Sequence, residues 1–148
     1  MIALLQRVNH ANVTVNKQTI GQIAQGLLVF VAVEPEDTAT QVQRLAERVL
    51  GYRIFSDDND KMNLSVKDIR GELLLVSQFT LAADTQKGMR PSFTTAASPI
   101  LGEELFNHFV SCCKTLYDEN KIATGQFGAD MQVSLCNDGP VTIILKTK

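Results

Sequence analysis

Leu27-Leu28-Val29-Phe30-Val31-Ala32-Val33 is the longest unbroken apolar run in the sequence, and its reading decides the fold. Gln25-Gly26 leads into it and Pro35 closes it. Seven apolar residues between a turn signal and a proline read as a buried central strand. The run is far short of the roughly 18 residues that span a bilayer, so no membrane segment is expected. A second such core follows in Glu72 to Phe79, whose middle is Leu73-Leu74-Leu75-Val76.

Working outward, Ile2 to Val8 and Ala11 to Val15 read as two strands separated by Asn9-His10. Asn16-Lys17-Gln18 is a turn, and Thr19 to Ile23 is a third short strand. Beyond Pro35, Thr38-x-x-Gln41 has capping-box spacing, and Val42, Leu45, Ala46 and Val49 follow at helical intervals. A helix is predicted from about Thr38 to Tyr52. Phe55 to Asn63 reads as a polar loop; its Asp/Asn cluster resembles a calcium loop but lacks the central Gly and terminal Glu. A long connection, Ala82 to Ala97, carries Gly88, Arg90 and Pro91. Ser98-Pro99 then opens a second helix, with Leu101, Leu105, Phe109, Cys113 and Leu116 along its core face. Ala129 to Cys136 and Val141 to Leu145 read as strands around a turn at Asn137-Asp138-Gly139-Pro140. These elements predict one α+β domain over residues 1–148: a mainly antiparallel, strongly curved or barrel-like sheet with two principal flanking helices.

Composition narrows the chemistry. The chain has 148 residues, 14 Lys+Arg against 16 Asp+Glu, and a net charge of −2, which discourages a broad phosphate-binding surface or a DNA partner. Three cysteines and two histidines show no metal-ligand spacing and no disulfide framework, so no metal and no cofactor is expected. The opening residues Met1 to Arg7 lack a basic region followed by a long apolar stretch, which makes the cytoplasm the expected location. His10 and His108 have no nearby acid to orient them, which argues against a nucleophilic triad.

Two polar segments interrupt the apolar pattern. Ser77-Gln78-Phe79-Thr80 ends the second buried strand, and on composition alone a strand end whose hydroxyls satisfy backbone groups is the better explanation of it. Asn137-Asp138-Gly139-Pro140-Val141-Thr142 is explained by an ordinary hairpin. From spacing alone neither names a function, and a non-catalytic RNA-binding module or a dimeric small-molecule binder remains open.

Taken together, the two segments resemble the signature motifs of the D-aminoacyl-tRNA deacylases (the D-tyrosyl-tRNA deacylase family), Ser-Gln-Phe-Thr and Asn-x-Gly-Pro-x-Thr. The resemblance extends to Leu4-Leu5-Gln6-Arg7-Val8, to Arg48 through Phe55, and to Lys61-Met62-Asn63. It also includes Gly88-Met89-Arg90-Pro91-Ser92-Phe93 and Ala129-Asp130-Met131-Gln132-Val133. It covers essentially the whole chain and is that of a bacterial member.

The resemblance implies a homodimer that hydrolyses the ester between a D-amino acid, or glycine, and the terminal adenosine of tRNA. It implies a cis peptide at Gly139-Pro140 that reaches into the partner's pocket and excludes L-residues, with Arg7 holding that segment; a plain structural ion pair is the alternative role for Arg7. Ser77 and Gln78 would shape the adenosine pocket, and Met131 would line it or belong to the core. Backbone N–H groups at Phe79 and Thr80 would stabilise the oxyanion. Thr80 has no titratable residue in its motif to activate it, which favours help from the substrate 2′-hydroxyl over a threonine nucleophile. Lys87 and Arg90 are either solvated charges or contacts for acceptor-stem phosphates.

Overall fold

The computed structural model describes residues 1–148. Its sheet is built around β1 (Ile2–Val15), one unbroken strand of 14 residues. Asn9-His10 does not divide it, as the sequence had suggested, because β8 (Gln132–Lys146) pairs with β1 antiparallel on both sides of that point. On its other edge β1 meets β2 (Gln18–Ile23) through residues 11–15 and β3 (Gly26–Ala32) through residues 2–8. β6 (Glu72–Ser77) pairs parallel with β3, and β7 (Ile122–Thr124) pairs parallel with β6. The pairings are therefore mainly antiparallel, three of five, with a parallel centre that the turn-by-turn reading did not foresee.

The apolar run explains that centre. Leu27, Val29 and Val31 of β3 enter a cluster of 24 buried residues shared with both helices, whereas Leu28 joins Val8, Val13, Ile23, Leu74 and Val76 in a second cluster. Both faces of β3 are covered, so neither face has polar positions to alternate with. The second cluster sits inside the curl of the sheet, where β2 closes onto β7. A Cβ on Gly21 would lie 2.7 Å from the Thr124 carbonyl oxygen, so only glycine permits that closure.

α1 (Ala39–Gly51) starts at a formed capping box, with Thr38 N–H donating to Gln41 Oε1 at 2.7 Å. It buries Val42, Leu45, Ala46, Val49 and Leu50. α2 (Pro99–Leu116) is capped by Ser98, whose Oγ accepts from Leu101 N–H at 3.3 Å. Its buried face is Gly102, Leu105, Phe106, Phe109, Cys112 and Cys113, while Leu101 and Leu116 at the ends of the predicted stripe are half-buried. The polar stretch after α1 is a small hairpin, β4 (Phe55–Ser56) with β5 (Met62–Leu64), rather than a plain loop. Asp57 holds its turn by accepting from the N–H groups of Asn59 and Lys61 at 2.9 and 3.0 Å. The bond from Lys61 is the largest of the influences that keep its carboxyl below the usual range.

At the outer end of β1, the Met1 ammonium is fully buried between the carboxylates of Glu34 and Asp37, each 2.8 Å away. It also donates to the Thr147 carbonyl at 3.0 Å. This contact ties the first strand to the corner before α1 and to the end of β8. No helix is long and apolar enough to cross a membrane.

Candidate active site

β6 ends at Ser77, and the chain is still pinned to β3 one residue later by Gln78 N–H donating to the Val31 carbonyl at 2.7 Å. It then winds into a single 3-10 turn, Phe79–Ala82. The turn's first bond runs from Leu81 N–H to the Gln78 carbonyl, which leaves the N–H groups of Phe79 and Thr80 ahead of it. The Thr80 hydroxyl accepts from the Gln78 side-chain amide. No histidine, lysine or carboxylate bonds to it.

Behind this turn is a cavity of about 570 Å³, lined mainly by apolar side chains. Ser77, Gln78 and Phe79 form part of its wall and Met131 another; Thr80 stands outside the lining. Met131 also packs against the inner-sheet cluster. The sequence reading missed Phe93, Phe106 and Phe127 as cavity residues. Phe106 lies one position along α2 from the predicted stripe, and Phe127 is brought against it from the loop after β7, with ring centroids 6.4 Å apart. No local spacing signals that second contact.

The Asn137–Pro140 segment is not a hairpin turn. Between the pairs Gln6–Thr142 and Val8–Asn137, β8 holds four residues where β1 holds only Arg7. The chain bulges out without reversing direction, because β1 continues to supply ladder partners beyond it. The Gly139–Pro140 peptide bond is cis. Gly139 has φ +128°, and a Cβ there would meet Val141 Cγ2 at 2.9 Å and Arg7 Nη2 at 3.1 Å, so both backbone and space require glycine.

Arg7 holds the bulge from below. Its Nε donates to the Asp138 carbonyl at 3.0 Å, and its Nη1 donates to the Ile54 carbonyl at 2.8 Å. The Asp138 carboxylate is 3.4 Å from Nε. Carbonyl bonding and an ion pair are thus both present on a side chain only 11% exposed. Gly139 and Pro140 themselves are exposed.

The two segments do not meet within one chain. Across β8, β1, β3 and β6, Gly139 is level with Arg7, Leu27 and Leu73, whereas Ser77 is level with Val31. Three strand spacings and four residues separate them, roughly 20 Å along the sheet. None of Arg7, Gly139 and Pro140 lines the cavity.

Other nucleophiles are placed away from both segments. Burial pushes the Cys113 thiol up to about 12, and Cys112 is raised by burial and then by the Glu47 charge. Cys136 is exposed on β8 opposite His10, while His108 lies 3.8 Å from Cys112 Sγ on α2. No group of three or more His, Cys, Asp or Glu side chains is placed to hold a metal ion. Lys87 and Arg90 are exposed on the loop before α2.

Residues 4–146 match the family model for D-Tyr-tRNA(Tyr) deacylase. A D-aminoacyl-tRNA deacylase of Haemophilus influenzae (strain 86-028NP) is 60% identical over 145 residues, covering 98% of this chain and 99% of that one. A solved structure described as a c-Myc DNA unwinding element binding protein superposes with a TM-score of 0.96 at 38% identity, over 100% of this chain and 99% of that one. A probable eukaryotic D-amino acid tRNA deacylase shares the fold, with a TM-score of 0.84 at 17% identity over 97% of each chain. A family match across nearly the whole sequence and a bacterial relative at this identity place the chain in the D-tyrosyl-tRNA deacylase family, as a D-aminoacyl-tRNA deacylase.

Proposed function

We propose that two copies of this chain form a homodimer in which the Gly139-Pro140 bulge of one copy closes the cavity of the other, and that this closure makes the deacylase specific for D-residues. The observation that carries the proposal is the roughly 20 Å along the sheet between bulge and cavity. Each chain has an open pocket without a gate and an exposed gate without a pocket. A symmetric dimer supplies both deficits twice.

The terminal adenosine of tRNA enters the cavity beside Ser77, Gln78 and Met131, and the aminoacyl ester lies at the N–H groups of Phe79 and Thr80. The backbone carbonyls of Gly139 and Pro140 receive the substrate amino group and occupy the space an L side chain needs. Rejection by backbone is indifferent to which D side chain is present, and it leaves glycine, which has no side chain, as a substrate.

In the reaction, water adds to the ester carbonyl and the resulting oxyanion is held by the two N–H groups. The bond to the ribose oxygen then breaks, and that oxygen takes the proton, with the neighbouring 2′-hydroxyl assisting its transfer. Thr80 is not the nucleophile, since its only side-chain partner is an amide, which cannot act as a base. The enzyme works in the cytoplasm on the tip of tRNA, and its slightly acidic charge suits brief sampling of many correct L-aminoacyl-tRNAs rather than tight binding to DNA.

The test is release of amino acid from D-aminoacyl-, L-aminoacyl- and glycyl-tRNA beside a free D-amino acid ester. Hydrolysis confined to D-aminoacyl- and glycyl-tRNA is expected. Comparable rates on the L-aminoacyl-tRNA would contradict the gate, and release from the free ester without need of tRNA would contradict the adenosine pocket.

A further inference from the structure

Exposed apolar side chains gather at the cavity's rim: Phe79 and Phe93 line it yet still face solvent, and Met89 and Ile100 lie outside its lining. Four of the seven large hydrophobic side chains left exposed, Phe79, Met89, Phe93 and Ile100, fall between residues 79 and 100. Phe79 and Phe93 meet edge to face with centroids 5.1 Å apart, yet remain 56% and 41% exposed. Next to them, Asp84 and Ser92 pair through both backbone bonds, at 2.7 and 3.0 Å, and close a hairpin-like loop. Its tip is Lys87-Gly88-Met89-Arg90. Neither cation belongs to an ion pair, and the only carboxylate of the loop, Asp84, is engaged by the Gln86 N–H at 2.9 Å. The loop next to the rim therefore carries a positive balance, Lys87 and Arg90 against Asp84, on a chain whose net charge is −2.

We infer that Phe93, with Lys87 and Arg90, forms a docking surface for the single-stranded 3′ tail of tRNA, the nucleotides that precede the terminal adenosine. The inference rests on reading the cavity as the adenosine pocket: a chain whose last nucleoside is inside must leave past this rim. Unpaired bases stack on exposed aromatic rings whatever their identity, and free cations meet the phosphates between them. The reach is suitable, because at most about 11 Å of backbone separates Lys87 or Arg90 from the Asp84–Ser92 pair. A surface that grips the unpaired tail serves every tRNA alike, since the tail has the same sequence in all of them.

The experiment compares three substrates: D-aminoacyl-tRNA, a D-aminoacyl trinucleotide ending in CCA, and the D-aminoacyl ester of adenosine alone. In Lys87→Ala/Arg90→Ala, KM for the tRNA is expected to rise about tenfold. The salt dependence of log kcat/KM should become shallower by about 1.4, the loss of two single-strand phosphate contacts. Phe93→Leu keeps an apolar wall but loses the ring, and should weaken the trinucleotide at least five times more than the adenosine ester. Equal losses on all three substrates, or an unchanged salt slope, would overturn the inference. So would loss of anionic-vesicle binding in the double variant with tRNA kinetics unaltered, which would make the patch a membrane contact. An adenosine ester hydrolysed by the unmodified protein no faster than a free D-amino acid ester would instead remove the adenosine-pocket reading on which the inference rests.

Discussion

The Ser77–Thr80 and Asn137–Pro140 segments are both polar interruptions of apolar strands, yet the fold uses them in opposite ways. The first lies where a buried parallel strand ends, and ending it opens a cavity behind the chain. The second lies in the middle of an edge strand, and the interruption pushes backbone outward with no cavity of its own. In the proposed homodimer, the concave site and the convex one, separated by two intervening strands on each chain, meet between copies. Position within the sheet, more than residue type, sets what each segment can do.

The largest effect is expected at the convex region. Gly139→Ala forces an L side chain to φ +128° and into contact with Arg7 and Val141, and should lower kcat/KM on D-aminoacyl-tRNA by about 100-fold, or roughly 2.7 kcal/mol. Activity within threefold of the parent would show that the bulge is not part of the site. Next is the support below it. Arg7→Ala leaves the Ile54 and Asp138 carbonyls without their donor, at a cost of roughly 1–3 kcal/mol each in folding stability if they stay dry. Denaturant unfolding should register that loss, and activity should fall about 30-fold. Stability lost with activity intact would separate the two roles of Arg7.

At the concave region Thr80→Ala should reduce turnover less than about fivefold, since the hydroxyl has no base to activate it. A loss of several orders of magnitude would restore the threonine nucleophile. The smallest functional effect belongs to the core under both regions. The Cys113 thiol, raised by burial to about 12, keeps its proton in the folded chain between the ordinary thiol value and that point, while the unfolded chain releases it. Folding stability from this group is thus present at neutral pH and declines as pH rises above about 9. At pH 8, alkylation of Cys113 should be at least 100 times slower in the folded protein than in denaturant. A rate within tenfold would mean that the α1–α2 layer opens readily.

Much of this architecture was legible in the sequence. The Leu27–Val33 and Leu73–Val76 runs declared strands covered on both faces, and Thr38/Gln41 and Ser98-Pro99 marked both helix starts. What escaped was anything decided by a partner far along the chain. Asn9-His10 and Asn137–Pro140 carry local turn signals, but a ladder that continues past each point overrides the turn and turns the latter into a bulge. Phe106 and Phe127 reach the cavity together only because α2 and the loop after β7 converge there. Arg7 was legible as a support only through resemblance; its bond to the Ile54 carbonyl depends on the corner after α1.

Mixing two inactive variants measures the central claim most directly. Ala96→Trp fills the cavity and leaves the bulge intact, while Gly139→Ala damages the bulge and leaves the cavity intact. After the two proteins are co-refolded, half of a random population is heterodimer, and each heterodimer has one site built from two undamaged halves. Deacylation of D-aminoacyl-tRNA should return to about a quarter of the parent's rate. A mixture no more active than the two variants measured separately would contradict a site shared between chains.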